Sequence, residues 1–283
     1  MIGLSTSYYA TKGLSIYDSI LKTVKLGFDV VELGAAHTFE DNVWGTLHKI
    51  KKDFPNIIFT IHTLFPPLNK RTWFNPADGL NGINKKIIDN LFKSALILDS
   101  SVISIHPPVF SDITLSGKRA ECNFEYPELG GAKDEAESKR NFIELIKYAV
   151  KEIEKTGIRL LIENMDNSFM NTFPSSKKSF SEFFDIFPET GLLLDVGHAL
   201  QAGNLYEFLE LKQYLFEVHL HDAGNSPDRG RWFHLPIKDI SYFEPLKKII
   251  ENKSVLFVFE HGADVPEDDI LIEKRLLEEF IAN

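Results

Sequence analysis

Six short apolar runs in this chain end on side chains that can ligate a metal ion: Thr60-Ile-His62, Ser104-Ile-His106, Leu161-Ile-Glu163, Leu194-Asp195, Val218-His219 and Val258-Phe-Glu260. Carboxylates gathered without a lysine or arginine repel one another and are costly to bury unless protons or a cation compensate. None of the six ends carries Lys or Arg. A divalent cation is the simplest partner. The mixture of nitrogen and oxygen donors suits zinc, manganese, cobalt or iron more than calcium, with magnesium a further option for the carboxylates. Such an ion would polarise a carbonyl or phosphoryl oxygen while paired carboxylates move protons. The single cysteine, Cys122, excludes an intrachain disulfide and a cysteine-rich metal site, so the ligands must be His, Asp and Glu.

Position along the runs ranks the candidates. Glu163, Asp195, His219 and Glu260 stand directly at the ends of the last four and form the best set for one shared metal, with Glu163 and Glu260 as candidate catalytic bases. His221 has the strand parity of His219 but lies one step further out, so it is expected to stand behind the ligands, with Asp222 as its neighbour in the loop. His261 follows Glu260 and points to the opposite side, which predicts a structural role, and lone histidines such as His37 and His48 are ordinary. In Leu192-Leu-Leu-Asp-Val-Gly-His-Ala-Leu-Gln-Ala-Gly203 the leucines read as a buried strand that opens at Asp195. Gly197 is expected to let the chain turn sharply there, so that His198 comes back toward the same cavity.

These residues need a scaffold that turns them toward one point. Strand patterns at 2–5, 28–33, 57–62, 102–106, 159–163, 192–195, 216–221 and 255–260 alternate with helical patterns near 15–26, 42–53, 84–98, 137–155, 179–187, 206–214, 243–250 and 269–281. Such alternation predicts an α/β fold, a closed parallel (β/α)8 TIM barrel forming a single domain over residues 1–283. Two connections, 107–134 and 222–239, exceed the few residues usual for such loops and overhang the C-terminal mouth, where barrels keep their chemistry. Trp44, Phe65, Trp73, Phe110 and Trp232 are the aromatic residues available to wall that mouth.

The net charge of −10 disfavours nucleic-acid binding by general phosphate neutralisation, although a local basic groove or bound cations would offset it. Lys70, Arg71, Lys118, Arg119, Arg229 and Arg231 fall in the expected mouth loops. No apolar run reaches membrane-spanning length, and the first residues show no basic segment followed by an apolar stretch. The expectation is a cytoplasmic protein without a membrane partner, with homo-oligomers open.

The order and placement of these pieces resemble the xylose isomerase-like barrels, the group that contains endonuclease IV and many sugar isomerases and epimerases. The resemblance runs from the first strand to Phe259-Glu-His-Gly262 and rests on Thr60-Ile-His-Thr63, Ser104-Ile-His-Pro107, Leu161-Ile-Glu-Asn164, Leu194-Asp-Val-Gly-His-Ala199, Val218-His-Leu-His-Asp222 and His234. It implies that Glu163, Asp195, His219 and Glu260 bind a divalent metal. It also implies that His62 and His106 match ligands of a second metal in endonuclease IV, and His198 and His234 ligands of a third. In the sugar enzymes similar positions more often contact substrate hydroxyls. Trp232 stands two residues before His234, where endonuclease IV usually has an aspartate, and Leu235-Pro-Ile-Lys-Asp239 lacks the glycines found there. The third metal thus lacks an expected ligand, with Asp228 the carboxylate nearby in the loop.

Three functions follow. The leading expectation is a metal-dependent isomerase or epimerase of a small sugar or sugar phosphate, in which one of Glu163 and Glu260 removes a carbon-bound proton and the other returns it through an enediolate. The alternative is an endonuclease IV-like abasic-site DNA endonuclease with a multinuclear zinc site; only this reading makes DNA a partner. The third is a non-catalytic metal- or sugar-binding barrel, against which the Glu163 and Glu260 pair argues.

Overall fold

The computed structural model describes residues 1–70, 72–115, 127–165, 171–226, 230–252 and 254–282, with backbone alone at 127, 225–226 and 230–233. Arg71, Lys118, Arg119, Asp228 and Arg229 lie outside the described residues, as does Cys122, and so do the side chains of Arg231 and Trp232.

Eight parallel strands close into a barrel: β1 (Ile2–Ser5), β2 (Val30–Leu33), β3 (Ile58–His62), β4 (Val102–Ile105), β7 (Arg159–Glu163), β8 (Gly191–Asp195), β9 (Leu215–Leu220) and β12 (Leu256–Phe259). All eight sequence-read strands are present, in the expected circular order. The helices are α1 (Ser7–Ala10), α2 (Ile16–Lys25), α3 (Val43–Asp53), α4 (Gly82–Leu98), α5 (Glu135–Thr156), α6 (Lys177–Ile186), α7 (Val196–Ala202), α8 (Leu205–Leu209), α9 (Lys247–Ile250) and α10 (Glu267–Ala282). Caps set several starts: Ser15, Asn81, Asp134 and Ser176 each accept a backbone N–H of the first turn, an interaction worth about 1 kcal/mol apiece.

Strand parity divides the core. Residues such as Val31, Phe59, Ile103, Leu160, Leu192, Val218 and Phe257 face outward and join Ile20, Leu47, Ile88, Leu145 and Phe183 of the helices in one large cluster. The alternate positions face the barrel axis. There Val30, Val102, Leu161, Leu193, Leu256 and Val258 fill the lower interior as a separate cluster. Because side chains repeat every second residue, two steps from Leu161, Leu193 and Val258 lead to Glu163, Asp195 and Glu260. Interior packing therefore delivers these carboxylates to the upper end of the barrel.

The two long connections are not plain loops. The first contains an antiparallel hairpin, β5 (Ser111–Leu115) with β6 (Pro127–Ala132), and the second another, β10 (Asp222–Ser226) with β11 (Gly230–Leu235). The region after Asp195 also differs from expectation. Val196 enters α7 directly, and Gly197 is one of its helical residues, not a turn. A Cβ there would stand 1.9 Å from His221 Cε1, so glycine is required by the approach of that ring.

Candidate metal centre

At the mouth two groups of donor atoms share Glu163. In the first, His62 Nε2 and His106 Nε2 lie 3.1 Å apart and stand 3.4 Å and 3.2 Å from Glu163 Oε2. In the second, His219 Nδ1 lies 3.1 Å from Glu260 Oε2, 3.9 Å from Glu163 Oε1 and 4.0 Å from Asp195 Oδ2. Two ligands bound at about 2.1 Å to a tetrahedral zinc are about 3.4 Å apart, so both groups approach the spacing of a coordination shell. Glu163 turns one carboxylate oxygen toward each.

The far side of each ring is held. His62 Nδ1 meets the Ser104 hydroxyl at 2.8 Å, and that hydroxyl donates to the Ile61 carbonyl, so Nδ1 carries the hydrogen and Nε2 presents a lone pair. His219 Nε2 donates to Glu32 Oε2 at 2.8 Å and leaves Nδ1 facing the carboxylates. His198 and His234 donate from Nδ1 to the carbonyls of Asn164 and Glu260, at 3.1 Å and 2.9 Å. Among the described residues, Glu163 Oε2 and His219 Nδ1 are buried without a well-formed hydrogen bond and face only other candidate ligand atoms, His106 Nε2 at 3.2 Å and Glu260 Oε2 at 3.1 Å. Buried polar atoms without partners are costly, and a divalent cation bound by nitrogen and carboxylate donors satisfies both. The residues present therefore fit a metal in each group.

Charge coupling runs the same way. Burial alone would raise the Glu163 pKa, but His106 and His62 hold it below the ordinary carboxylate range. Burial is likewise outweighed at Asp195 by His198 and His221, and at Glu260 by His219, so both carboxyls are lowered. His219 is raised well above its usual value because Glu32 and Glu260 overcome its burial. His106 is raised by Glu163 against its burial, whereas burial dominates at His62 and lowers it. In the metal-free protein, protons on imidazoles thus compensate the carboxylates, and a bound metal would displace them.

His221 stands directly against Asp195. Its Nε2 is 3.0 Å from Asp195 Oδ2, and it joins Asp195 and His198 in one potential ligand group and His234 and Glu260 in another. Burial lowers its pKa, but Asp195 prevails and carries it up to about 9. Its Nδ1 is contested: the Asp222 carbonyl at 3.1 Å favours a proton there, while the His234 N–H at 3.0 Å opposes one. In either state Nε2–H is held by Asp195. Burial lowers His234 to about 4, keeping that ring neutral. Asp222 turns its carboxylate to the Ala223 amide.

Several contributors escaped the sequence reading. Asn164 locks β7 to β8, accepting from Asp195 N at 2.7 Å and donating to Asp195 O at 2.9 Å. Glu32 and Glu217 lie in the barrel interior below the ligands, where burial and Glu32 push the Glu217 carboxyl up to about 8. Charged residues inside short apolar strands were the available signal. His261 has the expected structural role, paired at 2.6 Å with Glu273, whose other oxygen accepts from Ile237 N. His37 is buried against Thr6, and His48 is exposed. Of the aromatic residues, Trp73 stacks on His106 with 6.3 Å between ring centres, while Phe65 and Phe110 are buried and Trp44 packs under Lys93.

Comparison with known proteins places the fold. The sequence profile described as xylose isomerase-like TIM barrel matches residues 20–278. The chain belongs to that family. An uncharacterized protein of Methanocaldococcus jannaschii is 22% identical over 272 residues, covering 90% of this chain and 93% of the relative. Among solved structures, a D-tagatose 3-epimerase-like protein superposes with a TM-score of 0.68 at 22% identity, covering 99% of this chain and 97% of the other. Endonuclease IV from Thermus thermophilus gives 0.60 at 14% identity, covering 99% and 98%. These likenesses establish the shared fold of a family whose neighbours include both sugar epimerases and endonuclease IV. Among the described residues no helix is long and apolar enough to cross a membrane.

Proposed function

We propose that this chain hydrolyses a phosphodiester attached to a sugar, with abasic-site DNA as the substrate to test first, using two divalent cations that share Glu163. The observation that carries this reading is the division of the Glu163 carboxylate, Oε2 toward His62 and His106 and Oε1 toward His219. When bound, the ions supply Lewis acidity to a phosphoryl oxygen and acidify a water. The protein's part is positional. His62, His106, Asp195, His219 and Glu260 would hold the ions with Glu163. His198 and His234, whose Nδ1 atoms donate to backbone carbonyls, stand beside the ligands where a substrate oxygen or a further ion would bind. Trp73, lying over His106, offers an apolar face to a sugar. Two divalent cations would offset the carboxylates of Glu163, Asp195, Glu260 and Glu32, removing the local negative charge that would otherwise repel a phosphate in a chain of net charge −10.

A second reading, the sugar isomerase or epimerase, is favoured by Glu260. Its side chain is 18% exposed whereas Glu163 is 1% exposed, so Glu260 reaches the open side of the centre where a substrate carbon would present its proton. Metal-loaded protein assayed in parallel on an abasic-site duplex and a panel of ketoses and ketose phosphates separates the two. Nicking that is lost in Glu163→Gln supports the hydrolase. Ketose turnover with no nicking would replace it with the isomerase, and neither activity in metal-loaded protein would leave a binding barrel.

A further inference from the structure

We propose that Glu32 is the positioning residue of the second metal group: it holds the His219 ring by Nε2 so that Nδ1 is the nitrogen presented to the cation. Glu32 lies on β2 and His219 on β9, and these strands are not neighbours in the barrel. Backbone pairing therefore does not bring them together. The contact spans the barrel interior, with Glu32 Oε2 accepting from His219 Nε2 at 2.8 Å and both side chains fully buried.

Three further observations support this role. Burying a carboxylate is expensive, and an apolar side chain in its place would extend the Val30 and Val258 packing below. Glu32 Oε1 makes no hydrogen bond, so the described hydrogen bonding of this carboxylate falls on the imidazole alone. An imidazole has two nitrogens, and a partner that takes one decides which remains for the metal. A carboxylate in that position also makes the ring a better ligand. Glu217, in the same interior layer, provides the contrast: its Oε1 accepts from Thr60 at 2.8 Å and its Oε2 has no hydrogen bond.

The inference rests on the metal reading, and its test separates the two. Zinc affinity is measured by chelator competition on the whole chain for wild type, Glu32→Gln, Glu32→Ala and, as a control for amidation of a neighbouring buried acid that bonds no candidate ligand, Glu217→Gln. Glu32→Ala and Glu32→Gln should weaken one of two zinc sites by about 10- to 100-fold, the range typical of partners behind metal-bound histidines, with the control close to wild type. The second readout needs no variant. In zinc-loaded wild type, nitrogen NMR of the His219 ring should show zinc on Nδ1 and a slowly exchanging hydrogen on Nε2. Folded Glu32→Gln and Glu32→Ala with wild-type affinity at both sites, or zinc on Nε2 in wild type, would overturn the inference while leaving the metal centre standing. Wild type that binds no zinc would remove both.

Discussion

The two donor groups that meet at Glu163 follow one plan with different backing. His62 is held from behind by a neutral hydroxyl, Ser104, and its partner His106 has a side chain 25% exposed. His219 is held by a carboxylate, Glu32, and is fully buried between Glu163, Asp195 and Glu260. The first group has one carboxylate for its ion, the second three. On the proposed two-cation reading, more negative charge and less access to solvent would make the second the tighter site, and the first the exchangeable one nearer to Trp73.

That contrast can be broken at its shared point. Glu163→Gln would remove an anionic donor from both groups, and the proposed hydrolysis should fall by on the order of 10³-fold, about 4 kcal/mol of transition-state stabilisation, in steady-state nicking assays. A smaller effect is expected from Gly197→Ala, whose new methyl meets the His221 ring and displaces it from Asp195. Overpacking of this kind costs about 1–3 kcal/mol, which a shift in the urea midpoint would register. Graded chelation should strip the two ions at concentrations about 10-fold apart or more, close to 1.4 kcal/mol, with the ion held by His62 and His106 leaving first.

A further effect, read in stability rather than in activity, lies beneath the centre. Glu217 has its carboxyl raised from 4.5 to about 8 in the folded protein, so the native state keeps a proton that the unfolded chain releases. This group's contribution is most favourable below pH 4.5, declines as pH rises toward about 8 and then levels off. Denaturant titrations of metal-free Glu217→Gln across that window should lack this decline, and an unchanged slope relative to wild type would contradict the assignment.

The barrel was legible because apolar alternation and strand length are local properties, and its eight strands recur where the pattern put them. Glu163, Asp195, His219 and Glu260 were legible for the same reason, each closing an apolar run. What escaped depends on contacts between distant elements. Glu32 reads as one charged residue in Val-Val-Glu-Leu, and only barrel closure brings it to His219. His221 was expected behind the ligands by counting steps along its strand, and its ring meets Asp195; what the count could not show is that α7 passes so close at Gly197 that only glycine leaves room for the ring. Gly197 itself suggested a turn because glycine often marks one, whereas here the absent side chain makes room for a neighbour.

The most direct test of two cations sharing Glu163 is the zinc content of the purified chain after saturation and removal of free metal. Two zinc ions per chain in wild type and one in the His62→Ala, His106→Ala double variant are expected, the remaining ion being held by Asp195, His219 and Glu260 with Glu163. One zinc ion in both proteins would contradict the account and leave a single-metal centre.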